Sequence, residues 1–226
     1  MNTTPFWRTT WAVLRKDLRA ELRSRELVSV MLLFALLAVL VFSFALELDQ
    51  IVSREAVSGV LWVIVVFASI LGLNRSMSAE REQGSMDALL IAPIQRGAIF
   101  LGKFLGNLLF TLLVGVVLLP LMTVLYDVVT LNPWVLLVLT LGTWGVCASG
   151  TLLAAMTAQT RARESLLPIA MLPVVLPLLL AAVSATTGIL NSAPTSEWQG
   201  WIGVVLVIDV AYTTICFLLF DFVLEE

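Results

Sequence analysis

The sequence predicts an all-α integral membrane protein with six transmembrane helices. Of its 226 residues, 60% are hydrophobic and only 13% are charged, whereas charged residues make up about a quarter of an average soluble domain. Its mean hydropathy is +1.01, and the apolar residues fall into six long stretches. The basic residues between these stretches lie almost entirely on one side. We therefore expect residues 1–226 to form a single transmembrane domain.

Each apolar stretch is long enough to cross a bilayer, since a spanning helix needs about 20 mostly apolar residues. The predicted spans are Leu27–Leu46, Ala56–Leu73, Ala98–Tyr126, Pro133–Thr157, Ser165–Leu190 and Gly200–Leu224. We expect the first to be retained rather than cleaved as a signal, because 26 residues precede it and signal cores are only about 7–15 residues long.

The distribution of basic residues orients these spans. Twelve of the 13 Lys and Arg residues precede the first span or lie in and beside the loops after the second and fourth spans, and Arg54 is the exception. The positive-inside rule then places both termini in the cytoplasm. Three tryptophans lie at the outer ends of spans, away from the cytoplasm: Trp134, Trp198 and Trp201. An aromatic belt is expected at that position.

Residues 5–26 predict an amphipathic helix that lies in the membrane interface. Its apolar stripe consists of Trp7, Trp11, Leu14, Leu18 and Leu22, which recur at helical spacing. Its basic residues, which include Arg15 and Arg19, fall largely off that stripe. Such a helix turns its apolar side to the hydrocarbon and its basic side to anionic lipid. It either serves as an anchor only or also contacts a cytoplasmic partner.

The cytoplasmic loop at residues 74–97 predicts a short docking helix. Gly84 can end one helix and Ser85 can cap the next, with Asp87 favourably placed in its first turn. An apolar edge then runs to a proline. The candidate residues for coupling to an ATPase are Glu80, Glu82, Gly84, Ser85, Met86, Asp87, Leu89, Leu90 and Pro93. The alternative is a loop without a partner.

A nucleotide-binding motif is present only superficially. Residues 97–103 match G-x-x-x-x-G-K, but Phe104 stands where a Ser or Thr must hold magnesium. We therefore expect no nucleotide binding and no enzyme activity in this chain, so that ATP hydrolysis falls to a partner. Gly102 and Gly106 instead predict a face for close helix packing.

Polar and helix-breaking residues occur inside the spans. The fifth span contains three prolines, Pro168, Pro173 and Pro177, and we expect its helix to be irregular. Irregular backbone is tolerated in a membrane where it is buried in protein or lines a cavity. The alternative is that the prolines form a simple structural kink. Asp209 lies within the sixth span and is expected to be either an interior carboxylate or one close to the interface. Its possible hydrogen-bond partners are Tyr212, Thr213 and Asn107.

Residue types limit the chemistry further. The chain has no histidine, the commonest general base and metal ligand, and we expect no metal site and no catalytic residues. Cys147 and Cys216 both lie in apolar runs and are interpreted as buried hydrophobes. The absence of a basic face argues against nucleic-acid binding.

Several segments resemble a known family. Glu80 through Pro93, followed by Gly102-Lys103, resembles the cytoplasmic loop of type-2 ABC exporter permeases. Three further features resemble the heme exporter protein B family, the permease subunit of cytochrome c maturation. They are Gly59 to Val63 leading to Leu71 to Arg75, Arg163 to Pro168 running through Pro173 to Pro177, and the ending Phe220 to Glu226. The resemblance covers nearly the whole chain.

This resemblance implies a location in the bacterial cytoplasmic (inner) membrane and a set of partners. These are a cytoplasmic ABC ATPase that binds ATP and magnesium, a heme-handling membrane subunit and a periplasmic heme chaperone. It implies that ATP hydrolysis drives heme export or release of the heme-loaded chaperone, with heme handled by the complex and no cofactor bound by this chain. Two alternatives stay open: another type-2 exporter permease for lipid, glycan or drug, and a non-transporting assembly anchor.

The predicted topology can be tested by cysteine labelling in intact cells. Single cysteines at Asp49, Asn132 and Ser196 should react with a membrane-impermeant reagent, because these positions lie in predicted outer loops. Cysteines at Gly84 and Arg161 should react only after the membrane is opened. A cytoplasmic Ser196 would contradict the six-span scheme.

Overall fold

The computed structural model describes residues 5–47, 54–82, 95–157 and 163–223. These ranges contain seven helices joined by short turns, loops and undescribed segments. They are α1 (Phe6–Ser24), α2 (Glu26–Glu47), α3 (Arg54–Glu82), α4 (Arg96–Tyr126), α5 (Pro133–Thr157), α6 (Arg163–Leu190) and α7 (Thr195–Val223). Helices α2 to α7 are each long and apolar enough to cross a membrane, which confirms the predicted all-α class and the six spans.

Two boundaries differ from the predictions by more than two residues. Helix α3 continues to Glu82, so residues 74–82, which we placed in a loop, are helical. Helix α7 begins at Thr195 rather than Gly200, because the polar residues before the apolar run can extend a helix beyond the hydrocarbon, where Glu197 in the first turn complements the helix dipole. Hydropathy detects the part of a helix that lies in lipid and misses such extensions.

Helices α3 and α5 form the centre of the bundle. Most residues of their apolar segments are buried within the chain, whereas α2 and α7 leave most of theirs on the outside. At the end of the bundle away from α1, the ring centroids of Trp134, at the start of α5, and Trp198, near the start of α7, lie 5.2 Å apart. Trp198 in turn packs on Gly188 of α6. These tryptophans thus join three helices at the end that the sequence predicts to be outer.

Glycines let the neighbours of α5 approach its backbone. Gly142 faces the indole ring of Trp62 on α3, and a methyl group there would overlap that ring. Gly145 faces Asp209 and Leu178, and Gly150 faces Leu73 and Met171. Close contact of this kind is a main source of helix association in lipid, where apolar surface gains little by leaving the solvent. Trp62 is fixed further by a 3.0 Å hydrogen bond from its Nε1 to the Thr186 hydroxyl.

Helix α1 packs along the start of α4. A methyl group on Gly102 would lie 2.7 Å from the Cβ of Val13 and 3.0 Å from the Thr10 carbonyl oxygen. The packing face that we expected from Gly102 is therefore real, but its partner is α1 rather than another span. Leu14 is buried in this contact, which differs from its predicted place on the lipid-facing stripe.

A short junction fixes the angle between α1 and α2. Arg25 adopts a left-handed conformation at φ 55° and donates its backbone N–H to the Glu21 carbonyl. The Glu21 carboxylate accepts the backbone N–H groups of Leu27 (3.2 Å) and Val28 (2.9 Å). It thereby caps α2, whose first N–H groups have no partner within the helix.

The contact at Gly142 predicts a large effect from a small substitution. Gly142→Ala should lower the free energy of unfolding by about 1–3 kcal/mol, because the added methyl group must displace the buried Trp62 ring. Gly203→Ala is the matched control, since no atom lies within 4 Å of the Cβ position there. Thermal unfolding of the purified variants in detergent should show a lower midpoint only for Gly142→Ala. Equal midpoints would contradict the packing described here.

Candidate functional site

The predicted coupling residues cluster around the connection between α3 and α4. Glu80 and Glu82 lie in the last turns of α3, so the backbone holds them at the end of the bundle where α1 also packs. Gly84, Ser85, Met86, Asp87, Leu89, Leu90 and Pro93 lie outside the described residues. Helix α4 begins at Arg96, directly after Gln95. A partner that binds residues 83–94 would therefore be connected through the backbone to α3 and α4, which pack against each other.

Helix α1 has one side buried against the bundle and one exposed side. Thr9, Thr10, Val13 and Leu14 are buried against the bundle. Trp7 and Trp11, one turn apart, are 74% and 64% exposed and form an apolar face beside that contact. Arg15 and Arg19 are exposed as well and continue the same row at four-residue spacing, so this exposed side changes from aromatic to basic along the helix. This arrangement suits a helix held in the interface, with aromatic rings toward lipid and cations toward headgroups or a partner.

A buried ion pair ties α1 to α4. The Lys103 Nζ atom lies 2.8 Å from an Asp17 carboxylate oxygen, and the Lys103 side chain is almost fully enclosed. Removing one member of such a pair costs about 3–5 kcal/mol, because the other charge stays buried without compensation. At the same end of the bundle, Arg75 of α3 pairs with Glu26 of α2. Charge pairs thus connect α1 to α4 and α2 to α3 near the coupling segment.

Lys103 begins a polar ladder that extends into the membrane. Its three rungs on α4 are Lys103, Asn107 and Thr111, which occur at four-residue spacing and share one face. On α1, Asp17 is the partner of Lys103. On α5, Thr151 lies 3.4 Å from Asn107 and Cys147 lies 3.6 Å from Thr111. The sulfur of Cys147 also lies 3.8 Å from the Ser69 hydroxyl of α3.

The ladder joins α1, α4, α5 and α3 in one continuous set of contacts. Hydrogen bonds between membrane helices contribute on average about 0.6 kcal/mol each to the stability of a bundle. The main effect of the ladder is therefore to fix the register of the helices relative to one another. Of these residues, only Asn107 was predicted to form a hydrogen bond within the membrane. The spacing of Lys103, Asn107 and Thr111 was the signal that would have revealed the rest.

Helix α6 is continuous through its three prolines. Pro173 and Pro177 are exposed on the surface of the bundle and Pro168 is half-buried, which favours the alternative of a simple structural kink over a backbone that is buried or lines a cavity. The proline rings can occupy that side because they meet no neighbouring helix of this chain there. Near them the Tyr212 hydroxyl of α7 donates a 2.5 Å hydrogen bond to the Val174 carbonyl. This hydrogen bond joins α6 to α7 beside the prolines.

Asp209 lies deep in the membrane rather than close to the interface. It is only 4% exposed, it follows Thr195 by fourteen residues in α7, and it faces Gly145 at the middle of α5. Neither carboxylate oxygen has a hydrogen-bond partner among the described residues. Of the three expected partners, Asn107 bonds Thr151, the Tyr212 hydroxyl donates to the Val174 carbonyl, and the Thr213 hydroxyl accepts from Trp144. An interior carboxylate, one of the two readings of the sequence, is therefore the correct one.

A cavity of about 340 Å³ adjoins this carboxylate between α5 and α7. Its walls are Leu141, Trp144, Leu206, Asp209, Val210, Thr213 and Thr214. Trp144 donates its Nε1–H to the Thr213 hydroxyl at 2.9 Å. Among the described residues no group of three or more His, Cys, Asp or Glu side chains could hold a metal ion. The cavity combines apolar walls with one carboxylate and two hydroxyls.

Comparison with known proteins identifies relatives of the whole domain. The family model described as CcmB protein matches residues 8–222. Heme exporter protein B of Rhodobacter capsulatus is 32% identical over 170 residues, which cover 75% of this chain and 78% of that protein. Heme exporter protein B of Pseudomonas aeruginosa is 28% identical over 181 residues, 80% of this chain and 81% of that protein.

A more distant similarity reaches another class of permease. The probable ABC transporter permease protein NosY of Pseudomonas aeruginosa is 32% identical over 105 residues, 43% of this chain and 38% of that protein. The family model, by contrast, spans almost the entire sequence. This chain belongs to the CcmB protein family.

Proposed function

We propose that this protein is the membrane permease subunit of an ABC-type complex for cytochrome c maturation. A separate cytoplasmic subunit hydrolyses ATP, and this chain converts that hydrolysis into heme export or into release of a heme-loaded chaperone. The proposal rests on membership of the CcmB family and on relatives named heme exporter protein B. It places this chain in the bacterial inner membrane with both termini in the cytoplasm.

The geometry of the α1 end carries the mechanical part of the proposal. Helices α3 and α4 flank the segment at residues 83–94, and the Lys103–Asp17 ion pair joins α4 to α1. A force applied to this segment would therefore act on α3, α4 and the amphipathic helix α1 together. From α4, the polar ladder continues to α5 and α3. Motion imposed by an ATPase at this end would move these helices as a unit.

Other subunits would supply the chemistry that this chain lacks. The ATPase would hold ATP and magnesium, because Phe104 occupies the position where a phosphate-binding loop needs a hydroxyl. A heme-handling membrane subunit and a periplasmic chaperone would hold heme. A second candidate function, a type-2 exporter permease for another substrate, is favoured only by the partial similarity to NosY. Co-purification of a heme-handling membrane subunit distinguishes the first function from the second.

The first prediction of this proposal concerns heme. The chain purified alone should carry no stoichiometric heme, because it has no histidine and its two cysteines are buried in the helix bundle. Absorbance in the Soret region, measured on the isolated subunit and on the intact complex, checks this. A Soret band that stays with the isolated subunit would overturn the assignment of heme to other subunits.

The second prediction concerns coupling at Leu89. We propose that Met86, Leu89 and Leu90 insert into a groove of the ATPase, since a few buried apolar contacts dominate most interfaces. Leu89→Asp would bury a charge in that groove at a cost of several kcal/mol, and it should abolish ATPase association while membrane insertion is unchanged. Affinity purification of the complex and the yield of mature cytochrome c measure the two effects.

Leu131→Asp is the matched control for this substitution. Leu131 is 56% exposed in the loop between α4 and α5, at the end of the bundle away from α1. The same change there should leave ATPase association intact. If Leu89→Asp and the double variant Glu82→Ala, Asp87→Ala both retain the partner and full maturation, this segment is not the coupling element.

A further inference from the structure

Asp209 carries a buried carboxyl group without a partner. The residue is 4% exposed, and its two carboxyl oxygens are the only buried side-chain N or O atoms among the described residues that lack a hydrogen-bond partner. One of these oxygens lies against Gly145 of α5, at the place that a methyl group on that glycine would occupy. The carboxyl group is therefore enclosed in the contact between α5 and α7, and its oxygens are not open to the neighbouring cavity.

No charged residue of the surrounding helices lies at the depth of Asp209. Helix α7 packs against α4, α5 and α6. Helix α5 contains no charged residue, and the only charged residues of α6 are its first two. Those of α4 are Arg96 and Lys103 near its start, and Lys103 is paired with Asp17. On α7 itself, Glu197 and Asp221 lie near the two ends.

The other titratable groups in these segments of α5 and α7 are uncharged at neutral pH. They are the Tyr212 phenol and the Cys216 thiol of α7 and the Cys147 thiol of α5. The phenol donates to the Val174 carbonyl, and the Cys147 sulfur lies beside the hydroxyls of Thr111 and Ser69. None of these groups therefore supplies a positive charge to Asp209.

An ionised Asp209 is unfavourable in this contact for two reasons. A charge that is removed from water without a counter-charge costs so much free energy that such a group neutralises instead. An ionised carboxylate can also only accept hydrogen bonds, and no donor among the described residues reaches either oxygen. A bound proton removes both problems, because it cancels the charge and gives the group an O–H that can donate.

We propose that Asp209 is a proton-binding site that is filled when α7 closes on Gly145 of α5. Closing takes up one proton from water, which forms the O–H bond of the neutral acid, and separation of the two helices returns that proton to water. The contact between α5 and α7 is thus favoured at low pH and weakened at high pH. This inference does not depend on what the protein transports.

Infrared spectroscopy of the full-length chain in phosphatidylcholine vesicles detects the bound proton directly. The difference between wild type and Asp209→Asn at neutral pH should contain the carbonyl stretch of a protonated carboxyl group. The matched control is Asp127→Asn, which replaces an exposed aspartate and should remove carboxylate bands only. Isotope-labelled aspartate in the wild type should shift the protonated band, which assigns it to an aspartate without any substitution. A spectrum with carboxylate bands alone would overturn the proposal.

A substitution at Gly145 tests where the proton is held. Gly145→Ala puts a methyl group at the place of the carboxyl oxygen, so α7 cannot close completely and the protonated band should shift and lose intensity. Gly203→Ala is the matched control, because no atom lies within 4 Å of its Cβ position, and it should leave the band unchanged. A band that Gly145→Ala does not alter would contradict a site in this contact.

The pH dependence of unfolding tests the link between the proton and the closed bundle. The folded protein holds one proton more than the unfolded protein, in which Asp209 is ionised. Through this residue, the equilibrium constant for unfolding should rise by up to about tenfold per pH unit above roughly pH 5, until the folded protein also loses the proton. Asp209→Asn should lack this contribution, whereas Asp127→Asn should retain it. The same pH dependence in wild type and Asp209→Asn would overturn the proposal.

Discussion

The close approach of helices to the glycines of α5 is the contact on which the rest of the bundle depends. In lipid, burying leucine against leucine gains little, so association depends on how closely backbones and side chains can pack. Gly142, Gly145 and Gly150 provide that closeness toward α3, α6 and α7. A large side chain at any of the three would separate α5 from a neighbour. The central position of α5 follows from this stripe of missing side chains.

The same packing determines where polar groups can be placed. Because α4 and α5 are held in contact, Asn107 reaches Thr151 and Thr111 reaches Cys147. These bonds would be lost by a small rotation of either helix, and the freed groups would face hydrocarbon. These bonds therefore oppose rotation of α4 or α5 alone. Such behaviour suits a permease that receives force at one end.

Sequence patterns predicted the spans closely and the contacts between them poorly. Hydropathy located α5 at Pro133–Thr157 without error, because its limits coincide with the apolar run. It missed the start of α7 and the last turns of α3, because these extend beyond the hydrocarbon. Gly102 was recognised as a packing residue, but its partner was not, since hydropathy does not say which helices are neighbours.

The depth of Asp209 could not be decided from the sequence for a related reason. The depth depends on where α7 begins and on what lies opposite Asp209, and the start of α7 at Thr195 and the contact with Gly145 establish these two points. The Lys103–Asp17 pair was missed because its members are 86 residues apart. By contrast, the resemblance carried by the loop and the proline-rich span was enough to identify the family, which the match over residues 8–222 confirmed.

The central claim of this account is that the chain transmits ATP-driven motion rather than serving only as an anchor. The most direct measurement is release of heme-loaded chaperone from the complete complex reconstituted in vesicles. The complex is assembled once with an active ATPase subunit and once with a subunit that binds ATP but cannot hydrolyse it. The account predicts release only from the complex that hydrolyses ATP. Release at the same rate from both complexes would contradict it.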